Sequence, residues 1–483
     1  MVLRRCIRAF SSAAATRPFR LAVVGSGPAG FYTTHRLLKE VDHVKIDVYD
    51  SLPVPHGLVR FGVAPDHPEV KNVMTTFDRV AEDDRFRFLG NVNIGPSSES
   101  AEKGTVSVQE LKQHYDAIVF SYGASEDRHL GVPNEEVYGV ESARAFVAWY
   151  NGLPQFDNLK LPLDETDTAV VIGQGNVALD VARVLLSPID TLRKTDITEY
   201  ALETLSKSKI RHVHVVGRRG PLQAAFTSKE LREQMNLPNV AFKADKEWIK
   251  SEIEAAQPLL SKNRPLKRMM GILEKGSTVS TTSADRSWSL EFLRSPVEIL
   301  TDTNRTRVQG IRYELNQLTG GPLGAAKAIG TGQFEDRACG LVLRSIGYKS
   351  LPLDGVPFDS RQGLVPNRYG KILDSEGQEV PGMYTAGWLK RGPTGVIVST
   401  MTDAYETADT IVEDIKEARP MLNDDLDKDG ADGLKGIFKS RGIRPVSYVD
   451  WKRIEAAEFA AGEKLGKPRE KFTKVEDMLA VLQ

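Results

Sequence analysis

Two glycine-rich turns, each set between an apolar run and a helical pattern, carry the clearest chemistry in this sequence. The first contains Gly25, Gly27 and Gly30 in the spacing G-x-G-x-x-G. The first glycine permits a tight turn, the second lets the backbone approach a pyrophosphate, and the third lets the helix pack closely on the strand. Free N–H groups and the dipole at the helix N-terminus favour phosphates. Asp50 ends the next apolar run, where its carboxylate can accept hydrogen bonds from ribose hydroxyls.

The second turn repeats this spacing at residues 173–178, with Ala178 in place of the third glycine. The next apolar run ends without an acid and is followed by Arg218 and Arg219. Two guanidiniums can bind a 2′-phosphate through charge-assisted forks, whereas a carboxylate favours the unphosphorylated ribose. The second turn is therefore predicted to bind NADP(H), while the first, with its carboxylate, suits FAD. A pair of solvated arginines is the simpler interpretation, but the position after the second turn argues against it.

A third glycine-rich segment lies late in the chain, from Gly387 to Ile397, and a helical pattern follows it. In a flavoprotein with two dinucleotide sites, such a segment returns to the first domain and places a helix N-terminus at the flavin ring. The positive end of that helix dipole would stabilise a reduced, anionic flavin. A lone tryptophan is more often a core or surface aromatic, but Trp388, beside a Gly/Pro-rich turn, is a candidate to flank the ring.

Two strand–helix–strand patterns must position the turns. The first is predicted as strands over 21–25 and 45–49 around a helix over 29–39. The second comprises a strand, a helix and a strand over 168–172, 177–186 and 212–216. The predicted fold class is therefore α/β, with two Rossmann-like dinucleotide-binding domains.

Weaker patterns predict the remaining elements. Outside its strand, the charged stretch 207–270 is expected to be largely helical, and 394–417 is expected to form a helix. Loops are expected over 96–105 and 318–325 because both stretches are rich in glycine with serine or proline. Further strands are expected over 115–120, within 288–312, over 341–346 and over 383–386.

Composition excludes several classes of protein. The 483 residues are too many for one hydrophobic core, and a net charge of −1 gives no global basic field for nucleic acid. No apolar run approaches the roughly 18 residues that a membrane span needs. The only two cysteines, Cys6 and Cys339, cannot form a CxxC redox pair or a four-cysteine metal site. Iron–sulfur proteins and dithiol reductases are therefore disfavoured.

The first 20 residues contain five arginines and no acid, together with Ser11, Ser12 and three consecutive alanines. This composition is typical of a mitochondrial transit peptide, and an untargeted flexible tail is the alternative. A secretory signal is disfavoured because no apolar stretch follows the arginines.

The turns and several longer blocks together resemble the adrenodoxin-reductase family of glutathione-reductase-like flavoproteins. The similarity runs from about residue 21 to the end, and blocks in this order are highly specific. The resemblance implies hydride transfer from NADPH to FAD, followed by transfer of single electrons to a [2Fe–2S] ferredoxin. Besides the three turns, the matching blocks are 57–72, 145–154, 217–222 and 229–233.

The resemblance also implies which residues contact the cofactors. The family has a tryptophan at the position of Trp388, where the wider superfamily carries an aspartate. Asp50 stands where the family often has glutamate, and the shorter side chain would lengthen that contact. The implied FAD contacts are Ala29, Asp50, Leu58, Ile94, Trp388, Gly395, Val396 and Ile397. The implied NADP contacts are Gln174, Gly175, Asn176, Val177, Arg218, Arg219, Glu230 and Gly395.

His67 and Asp180 are the family's polar pair near the flavin, and the resemblance implies a catalytic role for both. A histidine can relay or stabilise a proton near neutral pH, and a carboxylate can orient it. The structural alternative makes His67 a residue that braces its loop and Asp180 an ordinary acid in the first turn of a helix.

An acidic [2Fe–2S] ferredoxin is the implied partner. The densest basic run after the leader lies at 262–268, and the family match gives Arg232, Arg264, Lys267 and Arg268 as docking candidates. On residues alone, a solvated helix face explains this run equally well. We expect a monomer in the mitochondrial matrix, with peripheral attachment to the inner membrane left open. Cluster assembly, haem modification and cytochrome P450 chemistry all remain open as destinations of the electrons.

The expected organisation is a leader at 1–20 and an FAD-binding domain at 21–126 that resumes at 347–483. An NADP-binding domain at 127–346 is inserted into it. Two other functions are considered. A glutamate-synthase-type flavin subunit shares both turns, but it needs additional cysteine-ligated clusters that two cysteines cannot supply. A catalytically silent nucleotide-binding scaffold would retain the fold without the reaction.

Overall fold

The computed structural model describes residues 17–96, 104–321, 326–422 and 427–483. Most of the predicted transit peptide, with Cys6, lies outside the described residues. The chain forms two compact units. The first unit contains the chain up to His56, then Met74–Ala124 and Ser350–Trp451. The second unit contains Gly57–Val73, Ser125–Lys349 and Lys452–Gln483.

The first unit is built on a seven-stranded sheet that is parallel from Glu379–Thr385 to the far edge. Its interior strand Phe19–Val24 is almost wholly apolar because a parallel sheet is covered on both faces. The carboxyl end of this strand leads directly into the first glycine turn. The strand order is Asn367–Arg368, Lys371–Leu373, Glu379–Thr385, Ala117–Phe120, Phe19–Val24, Val44–Tyr49 and Phe86–Leu89.

Two helices of the first unit pack side by side, Pro28–Glu40 and Ile397–Lys416. Arg36 Nε lies 2.7 Å from Asp409 Oδ1, and Thr33 Oγ1 lies 3.5 Å from the carbonyl oxygen of Ala404. Residue numbers rise together along both helices, so the helices are parallel. Their positive N-terminal ends therefore lie at the same end of the pair.

The second unit contains a six-stranded sheet that is parallel throughout. The strand Thr168–Ile172 leads through the second turn into the helix Asn176–Leu186, whose buried face joins the largest hydrophobic core. The predicted α/β class with two strand–turn–helix units is confirmed. The strand order is Val240–Lys243, Arg286–Glu291, His212–Val216, Thr168–Ile172, Leu341–Arg344 and Val140–Ser142.

A three-stranded antiparallel sheet follows in the second unit, formed by Arg294–Thr301, Val308–Thr319 and Lys327–Ala338. The sequence indicated strand-like alternation only up to residue 312. The strand Lys327–Ala338 was not predicted because most of its residues are exposed and none is buried, so it lacks an apolar period. Of the loop predicted at 318–325, Leu318 and Thr319 belong to a strand and 322–325 lie outside the described residues. Most of the loop predicted at 96–105 also lies outside the described residues, and Thr105 begins a strand.

The stretch 207–270 contains the strand Val240–Lys243 in addition to helices, and the prediction of a largely helical stretch missed it. The late helix begins at Ile397 rather than 394. Shorter strands lie at Asn93–Gly95, Thr105–Ser107, Glu126–Asp127 and Tyr348–Lys349. The remaining helices among the described residues, of which Pro154–Phe156, Pro221–Gln223 and Gly430–Asp432 are short 3₁₀ helices, are Leu58–Phe61, Pro68–Lys71, Val73–Val80, Val108–His114, Ala143–Tyr150, Pro154–Phe156, Ile189–Leu192, Glu199–Ser206, Pro221–Gln223, Ser228–Met235, Lys246–Ala255, Gln257–Leu260, Arg264–Lys275, Trp388–Arg391, Gly430–Asp432, Lys435–Arg441, Tyr448–Lys464 and Val475–Ala480.

Buried ion pairs explain why residues 57–73 and 452–483 belong to the second unit. Arg60 lies 2.5 Å from Glu458, and both side chains are almost completely buried. Asp196 binds Lys71 at 2.6 Å and Lys471 at 3.0 Å. Separating one partner of such a pair leaves an uncompensated buried charge, which is strongly unfavourable. The predicted domains at 21–126, 127–346 and 347–483 were defined by the nucleotide that each binds, not by packing. These limits therefore stay a prediction.

No helix in the described part of the chain is both long enough and apolar enough to span a bilayer.

Candidate functional site

The first turn has the shape that a pyrophosphate needs. Gly25 has φ +107°, and a Cβ there would lie 2.7 Å from backbone atoms of Ser121. A Cβ at Gly30 would lie 2.1 Å from the Gly25 carbonyl oxygen, so the helix packs tightly on the turn. At Gly27, in contrast, an added Cβ meets no atom within 4 Å. The middle glycine thus borders open space at a helix N-terminus, which fits a bound phosphate group.

Asp50 is held against the first turn at the end of the strand Val44–Tyr49. Its Oδ2 accepts hydrogen bonds from the Ser26 backbone N–H at 3.0 Å and from the Ser26 hydroxyl at 2.5 Å. Its Oδ1 accepts one bond, from Leu52 N–H at 3.0 Å. Burial raises the pKa of Asp50, and these three bonds oppose the rise. A carboxylate oxygen accepts about two hydrogen bonds, so Oδ1 can also accept one from a ribose hydroxyl.

The late segment folds back onto the first turn. A Cβ at Gly387 would lie 2.5 Å from Ala29 Cβ, so these two predicted positions are brought together. Asp403 and Arg391, which the sequence did not indicate, hold the segment. The Gly387 N–H donates to Asp403 Oδ2 at 2.5 Å, and the Arg391 guanidinium donates to Thr394 O and to Thr400 Oγ1.

The other predicted FAD contacts are distributed as follows. Trp388 is half-buried and begins a short helix, and Gly395 and Val396 are exposed just before the helix Ile397–Lys416. Ile94 lies in the strand Asn93–Gly95 of the first unit. Leu58 belongs to the second unit and is 39% exposed. Two helix N-termini, open glycine backbone and a carboxylate therefore meet in the first unit, and this set fits an adenine dinucleotide.

The second turn repeats the arrangement in the second unit. Gly175 also borders open space, with no atom within 4 Å of an added Cβ. Asn176 begins the helix with Val177, and its Oδ1 accepts a hydrogen bond from Thr227 N–H at 2.8 Å. The Gln174 amide donates to the carbonyls of Val215 and Glu291 at 3.3 and 3.1 Å. Both amide hydrogens of Gln174 are therefore used in joining strand ends beside the turn.

Arg218 and Arg219 follow the strand His212–Val216, next to the second turn. Arg218 is exposed and Arg219 is half-buried. A Cβ at the preceding residue, Gly217, would lie 2.3 Å from the Gln174 side chain, so the pair begins directly beside the turn. In the part of the chain that the structure describes, no carboxylate forms an ion pair with either guanidinium. Both charges are thus available for a 2′-phosphate.

His67 lies in a charged cluster of the second unit, and its hydrogen-bond partner is Glu233. The distance from His67 Nε2 to Glu233 Oε2 is 2.7 Å, whereas Glu230 Oε2 is 4.0 Å away. Asp180 is nearby but bonds to Arg183 at 2.7 Å. The sequence missed Glu233 because 166 residues separate it from His67.

Arg183 forms ion pairs with three of the acids around His67. Its buried guanidinium binds Asp66 at 2.6 Å and Glu230 at 3.4 Å, in addition to Asp180. Burial raises the pKa of both Asp180 and Glu230. Burial also acts to raise the pKa of Asp66, but the bonds and charge of Arg183 outweigh it and lower that pKa.

His67, Asp180 and Glu230 place ligand-type atoms within 4.8 Å of one another, a spacing compatible with a metal ion. Arg183, however, already supplies a positive charge to both acids, at 2.7 and 3.4 Å. We therefore interpret the group as an ion-pair network around a histidine.

The predicted docking residues lie on two packed helices of the second unit. Arg232 is on Ser228–Met235, which packs against Arg264–Lys275 through Leu231, Met269 and Met270. Arg264, Lys267 and Arg268 are exposed. Across the described ranges, none of the four cations has a carboxylate within ion-pair distance. The helices therefore present a basic patch that no acid of the described ranges neutralises.

The chain is similar to one known protein family and to relatives that share a single name. Residues 19–311 match the family model described as pyridine nucleotide-disulphide oxidoreductase. The mitochondrial NADPH:adrenodoxin oxidoreductase of Salvelinus fontinalis is 48% identical over 472 residues, covering 96% of this chain and 91% of that protein. The Homo sapiens protein of the same name is 46% identical over 475 residues, covering 96% of this chain and 92% of its own length.

A solved structure, Mycobacterium tuberculosis FprA in complex with NADPH, is 38% identical and superimposes with a TM-score of 0.86. The match covers 96% of this chain and 99% of that one. The resemblance inferred from the sequence is confirmed. The chain belongs to the pyridine nucleotide-disulphide oxidoreductase family and, within it, to the mitochondrial NADPH:adrenodoxin oxidoreductases.

Proposed function

We propose that this chain is a mitochondrial, FAD-dependent NADPH:ferredoxin oxidoreductase whose partner is an acidic [2Fe–2S] ferredoxin of the adrenodoxin type. The carrying observation is the difference between its two dinucleotide turns. The strand after the first turn leads to a carboxylate, Asp50, and the strand after the second leads to Arg218 and Arg219, whose guanidiniums have no ion pair within the described ranges. Bound FAD would accept a hydride from NADPH and release the electrons one at a time.

The chain's own groups would bind and orient both cofactors. The N–H groups at the start of the helix Pro28–Glu40 would hold the FAD pyrophosphate, and Asp50 would bind a ribose hydroxyl. The start of the helix Asn176–Leu186 would hold the NADPH pyrophosphate, with Arg218 and Arg219 on the 2′-phosphate. Hydride transfer requires no protein nucleophile, so orientation and the exclusion of water are the main contributions of the protein.

Anaerobic titration with NADPH tests this function, followed by cytochrome c reduction with and without a mitochondrial ferredoxin over a series of salt concentrations. We expect NADPH to bleach the flavin absorbance and ferredoxin to accelerate cytochrome c reduction, with less acceleration at high salt. Bound flavin that NADPH does not bleach would indicate a silent scaffold. Bleaching without any ferredoxin dependence would favour a different NADPH flavoenzyme.

Arg268→Glu is expected to raise the KM for ferredoxin and to spare direct reduction of ferricyanide by NADPH. The basic patch acts on the encounter with an acidic partner, and reversing one rim charge mainly changes the on-rate and its salt dependence. Steady-state assays with the two acceptors measure both effects. Lys250→Glu, an exposed charge reversal on another helix, is the control. Equal loss with both acceptors would contradict a docking role and indicate misfolding.

His67→Gln is expected to slow electron delivery to ferredoxin more than it weakens NADPH binding. We propose that His67 handles a proton during electron delivery and that Glu233, 2.7 Å away, orients its ring. Glu233→Gln should then reproduce part of the effect. Ferredoxin-dependent turnover and the Kd of NADPH, measured on both variants, separate the two steps. Unchanged turnover in His67→Gln would refute the role.

The proposal also covers the domains, the oligomeric state and the location of the protein. The segments 21–126 and 347–483 bind FAD, and the segment 127–346 binds NADP(H). The protein acts as a monomer in the matrix, and it attaches peripherally to the inner membrane. The mitochondrial names of its relatives support the compartment. Sedimentation velocity tests the monomer, and co-flotation of the purified protein with vesicles of inner-membrane lipid tests the attachment.

A further inference from the structure

The turn that carries Arg218 and Arg219 is held by hydrogen bonds to three consecutive carbonyl groups. The carbonyl of Gly217 accepts from Arg294 N–H at 3.1 Å, and that of Arg219 accepts from Leu293 N–H at 3.2 Å. The carbonyl of Arg218, between them, accepts from the side-chain amide of Asn316 at 3.0 Å. Two of the three bonds come from the backbone, and only the third depends on the identity of a side chain.

Asn316 is itself rigidly placed. It lies in the strand Val308–Thr319 and is 8% exposed. Its backbone N–H donates to Leu293 O at 2.8 Å, and the second hydrogen of its amide goes to Ser295 Oγ at 2.9 Å. The pairing with the neighbouring strand shifts between Glu314 and Asn316. The extra residues of this irregularity belong to the neighbouring strand Lys327–Ala338, and the amide of Asn316 reaches the turn at the Arg218 carbonyl.

The two arginines depend on the turn for their orientation. Neither guanidinium is ion-paired to a carboxylate of the described chain, and long side chains lose considerable rotamer entropy when a ligand immobilises them. Hydrogen bonds to all three carbonyls restrict the backbone of the turn and therefore the Cα positions from which both arginine side chains extend. Asparagine also suits the position because its amide N–H donates to the Arg218 carbonyl, whereas an ionised carboxylate there has no hydrogen to donate.

We propose that Asn316 is a positioning residue that sets the preference for a 2′-phosphorylated nucleotide by holding the Arg218 carbonyl. The inference rests on the proposed use of NADPH and deepens it. The antiparallel sheet thereby has a role in cofactor selection, although no residue of that sheet was predicted to contact the nucleotide.

The test compares two adenosine nucleotides on the FAD-loaded enzyme by isothermal titration calorimetry. Adenosine 2′,5′-bisphosphate and adenosine 5′-phosphate differ only in the 2′-phosphate. The Kd of the 5′-phosphate divided by the Kd of the bisphosphate therefore measures the preference for the 2′-phosphate. Asn316→Ala is expected to lower that ratio about five- to tenfold, the order of one buried hydrogen bond, through weaker binding of the bisphosphate. A general loss of folding would weaken both ligands and leave the ratio unchanged.

A matched control is Asn134→Gly. Asn134 also donates its amide to a carbonyl, Ile299 O at 2.9 Å, and glycine keeps its positive φ of 64°. This variant should retain the wild-type ratio. If Asn316→Ala does not fold, Ser295→Ala removes only the hydroxyl that pins the amide and should lower the ratio by less.

The possible results distinguish the role of Asn316 from the proposed use of NADPH. A wild-type enzyme with no preference for the bisphosphate would overturn the proposed use of NADPH. A wild-type preference that Arg218→Ala lowers but neither Asn316→Ala nor Ser295→Ala changes would overturn the role of Asn316 alone. A fall in the ratio with Asn134→Gly as large as with Asn316→Ala would also overturn it, because the effect would then be general to the sheet.

Discussion

Replacing both Arg218 and Arg219 by alanine is expected to raise the Kd for NADPH about 100-fold or more, while NADH binding changes little. Hydrogen bonds to charged groups contribute about 1.5–3 kcal/mol each, and the double variant removes both guanidiniums from the 2′-phosphate. NADH lacks that phosphate and uses only the second turn and the helix behind it. Kd values for both nucleotides, measured by flavin absorbance under anaerobic conditions or by calorimetry, check the prediction.

A double substitution elsewhere controls for the loss of two positive charges. Arg264→Ala with Arg268→Ala removes two exposed cations from the same unit and should leave both Kd values near wild type. Equal weakening of NADPH and NADH by the Arg218 and Arg219 variant would contradict its role on the 2′-phosphate. The pair would then be a solvated surface feature, which was the simpler interpretation of the sequence.

Gly27→Val is expected to give a folded protein that no longer retains FAD. The protein has room for the side chain, since a Cβ at Gly27 meets no atom within 4 Å, but the branch would occupy the space proposed for the pyrophosphate. Losing two backbone bonds to phosphate costs about 3–6 kcal/mol, at about 1.5–3 kcal/mol for each bond to a charged group. Flavin content after purification and the Kd of FAD for the apoprotein measure the loss.

Gly436→Val is the matched control, because an added Cβ at Gly436 also meets no atom within 4 Å and the residue lies in a helix of the same unit. It should bind FAD like the wild type. Circular dichroism should show similar secondary structure for both variants. Retention of FAD by Gly27→Val at wild-type affinity would mean that the first turn does not hold the pyrophosphate.

The parts of the fold that were predicted correctly have a strong local pattern. The strand Thr168–Ile172 is four-fifths buried, so its sequence is almost continuously apolar. The strand Lys327–Ala338 is exposed along most of its length, and only pairing with Val308–Thr319 makes it a strand. A strand stabilised mainly by backbone hydrogen bonds to its neighbour leaves little trace in its own sequence.

The candidate site also contains residues that a local sequence pattern predicts and residues that only long-range contacts reveal. Both glycine turns and the pair Arg218–Arg219 were predicted because each is a short contiguous motif that restricts backbone or charge. Asp50 was predicted because it directly follows the second strand of the same strand–helix–strand pattern. Three long-range contacts were not predicted: His67 with Glu233, Arg183 with Asp66, and the hydrogen bond from Asn316 to the Arg218 carbonyl. Their members are 166, 117 and 98 residues apart, so no spacing within a motif connects them.

The sequence by itself determined the fold class, the two dinucleotide turns and the charge that distinguishes them, because local geometry and residue type suffice for these. The tertiary structure decided which groups act on the motif residues. It brought the late segment onto Ala29 and paired His67 with Glu233. Among the described residues, it left the cations proposed for docking without acidic partners. The physical reason is that hydrogen bonds and ion pairs depend on distances of about 3–4 Å through space, and only the packed fold sets those distances.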